Sequence, residues 1–253
     1  MASSHLRHTR LLDLLAERGS LDVEEAAAAL DVSPATIRRD LDRLAHQQLV
    51  RRTRGGAVAA EVAYDLPLRY KAARAANEKQ RIAATAAALV GRGRVVGLNG
   101  GTTTSEVARE LAGRTDLTIV TNAVNIAAEL TVRPQIKTVM TGGAARPNSY
   151  ELIGPLAAAT LRSLALDEVI LGVDALDPVF GASAHHEGEA EINHLMADRA
   201  ARVIVVADAS KLGTRAFARI CPAEAITTLV TDAAADPAMV EALKSTGISV
   251  ILC

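Results

Sequence analysis

Between positions 33 and 54 the chain concentrates side chains that recognise phosphates and base edges: Ser33, Thr36, Arg38, Arg39 and Arg43, then Arg51, Arg52 and Arg54. Arginine suits that chemistry because its planar fork of donors fits a phosphate or the edge of a guanine. A second set is spread over the rest of the chain in short runs: Asn99-Gly100-Gly101-Thr102-Thr103-Thr104, Thr121-Asn122, Gly142-Gly143, Asp174 and Asp208-Ala209-Ser210-Lys211. Backbone N–H groups at a glycine-containing loop, hydroxyls and a Lys suit a phosphate, while Asp and Asn accept or donate to sugar hydroxyls. His185-His186-Glu187 has metal-ligating residue types. Neighbouring histidines without third and fourth ligands at helical spacing do not complete a site, so no metal is expected.

These residues work only if secondary structure gathers them. Ser33 is a good N-cap and Pro34 fits the first helical position. Ile37, Leu41 and Leu44 recur at i, i+4 and i+7, which gives the following helix one apolar stripe. Thr36, Arg39 and Arg43 then fall on the opposite side with Arg38 flanking, a shape that fits a DNA major groove. Asp40 lies nearer the buried side, placed to hold an Arg side chain.

Upstream, the leucines between His5 and Arg18 predict a helix stopped at Gly19, and Asp22 caps a second helix through Leu30. Helix, helix, tight turn at Asp31-Val32, helix is the helix-turn-helix order. Residues 49–58 predict two short strands around a basic turn, a wing whose arginines meet phosphates or a minor groove. Residues 59–76 read as a connector broken by Pro67. Asn77, with Gln80 three residues on, predicts a capping box opening a helix to Val90.

From Arg94 onward, apolar runs alternate with helical patterns, as in an α/β domain with a mostly parallel sheet. The runs end in the Gly, Thr, Asn, Asp and Lys residues of the second set, at the carboxyl edge where open parallel sheets bind ligands. The expected organisation is a winged helix-turn-helix over 1–58, a linker over 59–76, and an α/β effector-sensing and oligomerisation domain over 77–253.

Composition agrees. Only three Tyr, two Phe and no Trp occur, so the cores must be aliphatic. Net charge is −1, yet residues 33–58 hold six Arg (38, 39, 43, 51, 52, 54) against Asp40 and Asp42, so positive charge is local. Cys221 and Cys253 form neither a disulfide framework nor a metal motif. The N-terminus is polar and no run approaches a membrane span, so a cytoplasmic protein is expected.

The chain resembles the DeoR family of bacterial transcription regulators over essentially its full length. The resemblance rests on Val32-Ser33, Thr36-Ile37-Arg38-Arg39-Asp40-Leu41, Arg54-Gly55-Gly56-Ala57, Asn77, Lys79-Gln80-Arg81-Ile82-Ala83, Gly101-Thr102-Thr103-Thr104, Val120-Thr121-Asn122, Gly142-Gly143, Gly154-Pro155, Gly172-Val173-Asp174, Asp208-Ala209-Ser210-Lys211 and Thr231-Asp232. It implies a winged helix-turn-helix, a sensor domain similar to ribose-5-phosphate isomerase, and a homo-oligomer, dimer or tetramer. It further implies a repressor of a sugar or polyol catabolic operon, released from double-stranded DNA by a phosphorylated sugar, with no cofactor. Two other readings share the residues: a sugar-phosphate isomerase-like enzyme with a DNA-binding extension, and an effector-dependent activator. An isomerase needs a carboxylate base beside the substrate carbon, and no residue is placed by the sequence to serve as one.

Overall fold

The computed structural model describes residues 4–47, 49–59, 66–72 and 74–253. The chain forms two compact units that divide between Arg74 and Ala75. Among the described residues no helix is long and apolar enough to cross a membrane.

The first unit runs α1 (Ser4–Arg18), β1 (Ser20–Asp22), α2 (Val23–Leu30), α3 (Pro34–His46), β2 (Val50–Arg52), β3 (Gly56–Ala59) and α4 (Leu68–Lys71). Local signals act as expected at three boundaries. Gly19 takes φ +73° after α1, Asp22 accepts the amides of Glu24 and Glu25, and Ser33 accepts that of Thr36 with Pro34 following. The aliphatic back of α3 is fully used: Ile37, Leu41 and Leu44 are buried against Leu11 and Leu15 of α1 and Ala26 of α2. The wing has one strand more than the sequence suggests. β1, between the first two helices, pairs antiparallel with β3, giving the order β1-β3-β2.

The segment read as a linker is not uniform. Residues 60–65 and 73 lie outside the described residues, but Leu66 and Tyr70 are buried in the same core as Leu41. The Tyr70 hydroxyl donates to Gln47, the C-cap of α3, at 2.8 Å, and Arg74 pairs with Asp13 of α1. An apolar Leu and Tyr four residues apart have a core to enter, and that burial outweighs the break at Pro67.

The second unit opens with α5 (Ala76–Ala88), and here the expected capping box fails. The N-cap is Ala75, at φ +49° and without a side-chain cap, and Asn77 sits exposed inside the first turn. The helix begins two residues too early for Asn77 to serve as its cap.

Then follow β4 (Val95–Leu98), α6 (Thr102–Leu111), β5 (Leu117–Thr121), α7 (Val124–Thr131), β6 (Ile136–Met140), the hairpin β7 (Ala144–Ala145) and β8 (Leu152–Ile153), and α8 (Pro155–Arg162). The remainder is β9 (Leu166–Gly172), β10 (Ala175–Asp177), β11 (Gly181–Ala184), α9 (Glu187–Asp198), β12 (Ala200–Val206), β13 (Ala218–Cys221), β14 (Thr228–Thr231), α10 (Pro237–Lys244) and β15 (Ser249–Leu252).

Seven strands form one parallel sheet in the order β15-β14-β12-β9-β4-β5-β6. Both faces are covered, which explains the unbroken apolar runs. In β12, Val203 and Val205 enter one core with α8 and α9, while Ile204 and Val206 enter another with α5, α6 and α7. From β4 the chain builds outward through β5 and β6, then returns to β9 on β4's other side. The sheet therefore reverses direction between β4 and β9, the position where open α/β sheets make a ligand crevice. The short antiparallel sheet β10-β11-β13 and the β7–β8 hairpin were not signalled by the sequence.

Candidate functional site

In the first unit, α3 turns Thr36, Arg39 and Arg43 away from its buried stripe, and Arg39, Arg43, Arg51 and Arg54 are exposed with no ion pair among the described residues. Arg38 meets Glu24 of α2 at 3.2 Å, both exposed, so water and salt compete freely with the pair. Arg52 differs. Its Nε donates to Asp42 of α3 at 2.9 Å and its Nη1 donates to the Gly56 carbonyl, so it joins recognition helix to wing.

Asp40 does hold an arginine, but one from α1. It is 2% exposed and accepts from Arg7 and from His8 Nε2, the latter at 2.9 Å. Burial alone would push its carboxyl up; the hydrogen bonds from Arg7 and His8 outweigh that and hold it below the usual carboxylate value. An acidic residue inside a basic helix is thus an anchor fixing the angle between α3 and α1.

At the carboxyl edge of the large sheet, Asn99 ends β4. Its side chain donates to the Gly172 carbonyl at 2.9 Å and accepts from the Gly172 amide at 2.8 Å, clasping β4 to β9 at the reversal point. Gly101 then takes φ +142°, a conformation L side chains rarely adopt, and becomes the N-cap of α6. No side chain caps this helix: the Thr104 and Ser105 hydroxyls both donate to the Gly101 carbonyl and leave the first-turn amides alone. Thr102 and Thr103 occupy the opening positions.

Thr121 and Asn122 end β5 fully buried, with Thr121 Oγ1 accepting from the Ala123 amide. Asn122 donates to Glu151 Oε2 at 2.9 Å. Gly142 and Gly143 follow β6 with φ of +71° and +120°, and a Cβ at Gly143 would meet the Ile153 carbonyl oxygen at 2.6 Å. Asp174, after β9, accepts from the His185 amide at 3.0 Å.

Asp208 and Lys211 follow β12, two strands from β4 and so roughly 10 Å across the sheet. Asp208 caps its own turn by accepting from Ser210, and Asp232 after β14 accepts the Ala209 amide at 2.7 Å. Lys211 has no carboxylate partner among the described residues. The hydrogen bonds thus make one group of the loops after β4, β5 and β9 and a second of those after β12 and β14.

Several polar residues at this edge carry no sequence signal. Glu151, in the return between β7 and β8, is 4% exposed. Burial, with the nearby charge of Glu189, pushes its carboxyl up to about 8. Arg146 pairs with Glu189 of α9. His186 is neither ligand nor base in this geometry: its Nδ1 accepts the Gly188 amide and caps α9. No cluster among the described residues could hold a metal ion.

Residues 7–62 match the DeoR-like helix-turn-helix domain, and residues 74–233 match the DeoR C terminal sensor domain. The chain belongs to the DeoR family. It is 35% identical to the HTH-type transcriptional regulator GlpR of Haloferax volcanii, covering 97% of this chain and 96% of that protein. It is 30% identical to the glycerol-3-phosphate regulon repressor of Escherichia coli K12, covering 98% of each. Among solved structures it is similar to ribose 5-phosphate isomerase from Methanocaldococcus jannaschii, with TM-score 0.41 and 20% identity over 54% of each chain.

This DeoR-family chain is a DNA-binding transcriptional regulator, and its relatives are named as regulators and repressors rather than enzymes. The isomerase reading of the sheet edge is thereby set aside.

Proposed function

We propose that this DeoR-family regulator represses a sugar or polyol catabolic operon and releases it when a phosphorylated sugar or polyol binds at the carboxyl edge of the seven-stranded sheet. Support comes first from the uncapped start of α6. Amides without a side-chain acceptor at a helix N-terminus, beside a glycine in a special conformation, suit a phosphate. Gly142 and Gly143 bring backbone to this edge from the end of β6, two strands from β4, and Lys211 adds a cation from across the reversal point. Asn122, Asp174 and Asp208 offer oxygens to hydroxyls, while Asn99 holds the two central strands together. That one relative is a glycerol-3-phosphate regulon repressor agrees with a phosphorylated effector.

On the DNA side, Thr36, Arg38 and Arg39 read base edges, with Ser33 fixing the start of their helix. Arg43, Arg51 and Arg54 hold phosphates, and Arg52 positions the wing. The protein acts as a homo-oligomer in the cytoplasm, because reading heads paired at a fixed spacing give an effector a geometry to disrupt. A coupling of about 1–3 kcal/mol between effector and DNA sites changes operator affinity about 5–150-fold.

The test is a gel-shift series of the full chain on DNA from its own promoter region, with and without glycerol 3-phosphate, fructose 6-phosphate and ribose 5-phosphate. Release by one of them is expected. Tighter binding would make the protein an effector-dependent activator or corepressed regulator, and no response to any phosphate ester would overturn the sensing assignment. Arg51→Ala and Arg54→Ala should each reduce the slope of log affinity against log salt by about 0.9.

A further inference from the structure

Glu151 is a buried carboxyl at the sheet edge, 4% exposed, and has no ion pair among the described residues. Its backbone forms an antiparallel bridge with Ala123, the Leu152 amide donates to the Asn122 carbonyl at 2.6 Å, and the Arg146 amide donates to the Glu151 carbonyl at 2.8 Å. The side chain is therefore placed by a rigid frame, and Tyr150 beside it takes φ +63° to permit it. One carboxyl oxygen takes the Asn122 amide. The other lies over Gly100, just before the uncapped helix: a Cβ there would meet Oε1 at 2.7 Å and Cδ at 2.9 Å. Only a glycine leaves space for that carboxyl.

A second observation makes this more than packing. Asn122 is fully buried, and its Oδ1 has no hydrogen-bond partner among the described residues. An unsatisfied buried acceptor of this kind costs about 1–3 kcal/mol and calls for a donor.

We propose that Glu151 and Asn122 form the hydroxyl-reading element of the effector site, selecting a phosphate ester that carries a free hydroxyl over inorganic phosphate. This rests on the effector reading above. A hydroxyl is both donor and acceptor: it donates to Asn122 Oδ1 and accepts from the acid proton of Glu151. Inorganic phosphate held at the α6 amides has no separate hydroxyl group on a carbon frame to reach Asn122, so it gains nothing at this position. The charged groups facing Glu151 are Glu189 from α9, Asp174 from the end of β9 and Arg146 from its own loop. Burial and the carboxylates of Glu189 and Asp174 outweigh the Asn122 hydrogen bond and Arg146 and push the Glu151 carboxyl up to about 8, which favours its acid form at pH 7. Ionisation removes its donor and sets a negative charge beside the bound anion.

The experiment is calorimetric titration of the full-length protein with glycerol 3-phosphate, fructose 6-phosphate, ribose 5-phosphate and inorganic phosphate, at pH 7 and pH 9. Thermal melts without ligand verify that Glu151→Gln and Glu151→Ala fold. The wild type is expected to bind at least one ester about tenfold or more tightly than inorganic phosphate, and Glu151→Ala to lose that margin while inorganic phosphate binding stays unchanged. With ionisation near pH 8, wild-type ester affinity falls about tenfold between pH 7 and pH 9. Glu151→Gln keeps a donor and cannot ionise, so it should hold its pH 7 affinity within about threefold and lose the pH dependence. Ester binding unchanged in both variants at both pH values overturns the proposal and leaves the effector reading intact. Failure of the wild type to bind any ester overturns both.

Discussion

On α3 and the wing, Arg39, Arg43, Arg51 and Arg54 are exposed and unpaired among the described residues, whereas at the sheet edge Asn99, Asn122, Glu151 and Asp208 are buried and bonded to neighbours. On the proposed reading, the partners of these arginines arrive with the DNA. The sheet edge keeps its polar groups inside the protein, and few bonds are left open there for the proposed effector, chiefly at the first-turn amides of α6 and the Asn122 oxygen. Removing an arginine from the first surface should therefore cost binding and spare folding. Disturbing the second should cost folding as well as binding.

The largest expected effect falls on the exception to that rule, the buried Asp40 of α3 with its partners Arg7 and His8. Asp40→Ala leaves Arg7 and His8 without their shared carboxylate and should destabilise the first unit by about 3–5 kcal/mol. Denaturant melts followed on that unit measure it; a loss under 1 kcal/mol would show that Asp40 does not anchor α3 to α1. Because the Asp40 carboxyl is held below its unfolded value near 3.9, its contribution is present at neutral pH. That contribution disappears as pH falls through the lower folded value, so the wild-type unit should lose stability in acid and the variant lose less.

Gly100→Ala probes the other region. The new Cβ meets the Glu151 carboxyl inside its buried frame, and forcing it aside should cost the second unit about 1–3 kcal/mol, read as a lower midpoint of its unfolding. Arg39→Ala should cost operator binding a similar amount, about 1–3 kcal/mol or roughly 10–100-fold, with the melting temperature unchanged. Equal loss of stability in both variants would erase the contrast between the two sites.

The same contrast explains what could be read from the sequence. The reading head is local: Ser33, Pro34, the Ile37–Leu41–Leu44 stripe and the Arg face lie within one helix, and periodicity reports them directly. The parallel strands are equally plain, because burial on both faces leaves uninterrupted aliphatic runs. The sheet edge is non-local. Glu151 reaches Asn122 across 29 positions and Asn99 reaches Gly172 across 73, and no spacing rule connects them. Glu151 also stands in a two-residue strand's approach, too short to show any period. Asn77 misled for a different reason: cap-like residues recur often, and only tertiary packing decides which residue starts the helix.

The smallest effect concerns where the reading head ends. If α4 belongs to it, Tyr70→Phe removes the hydrogen bond to the C-cap of α3 while leaving the ring in the core. The loss should be about 0.5–1.5 kcal/mol. For a unit of this size each kcal/mol lowers the melting temperature by roughly 4–8 °C, so the shift is measurable. A drop confined to the first unit's transition assigns residues 66–71 to the DNA-binding domain, and the linker then shrinks to the stretch before Leu66. An unchanged midpoint would mean that the Tyr70 hydroxyl adds nothing to the unit, Arg69 also donating to Gln47 at 3.3 Å.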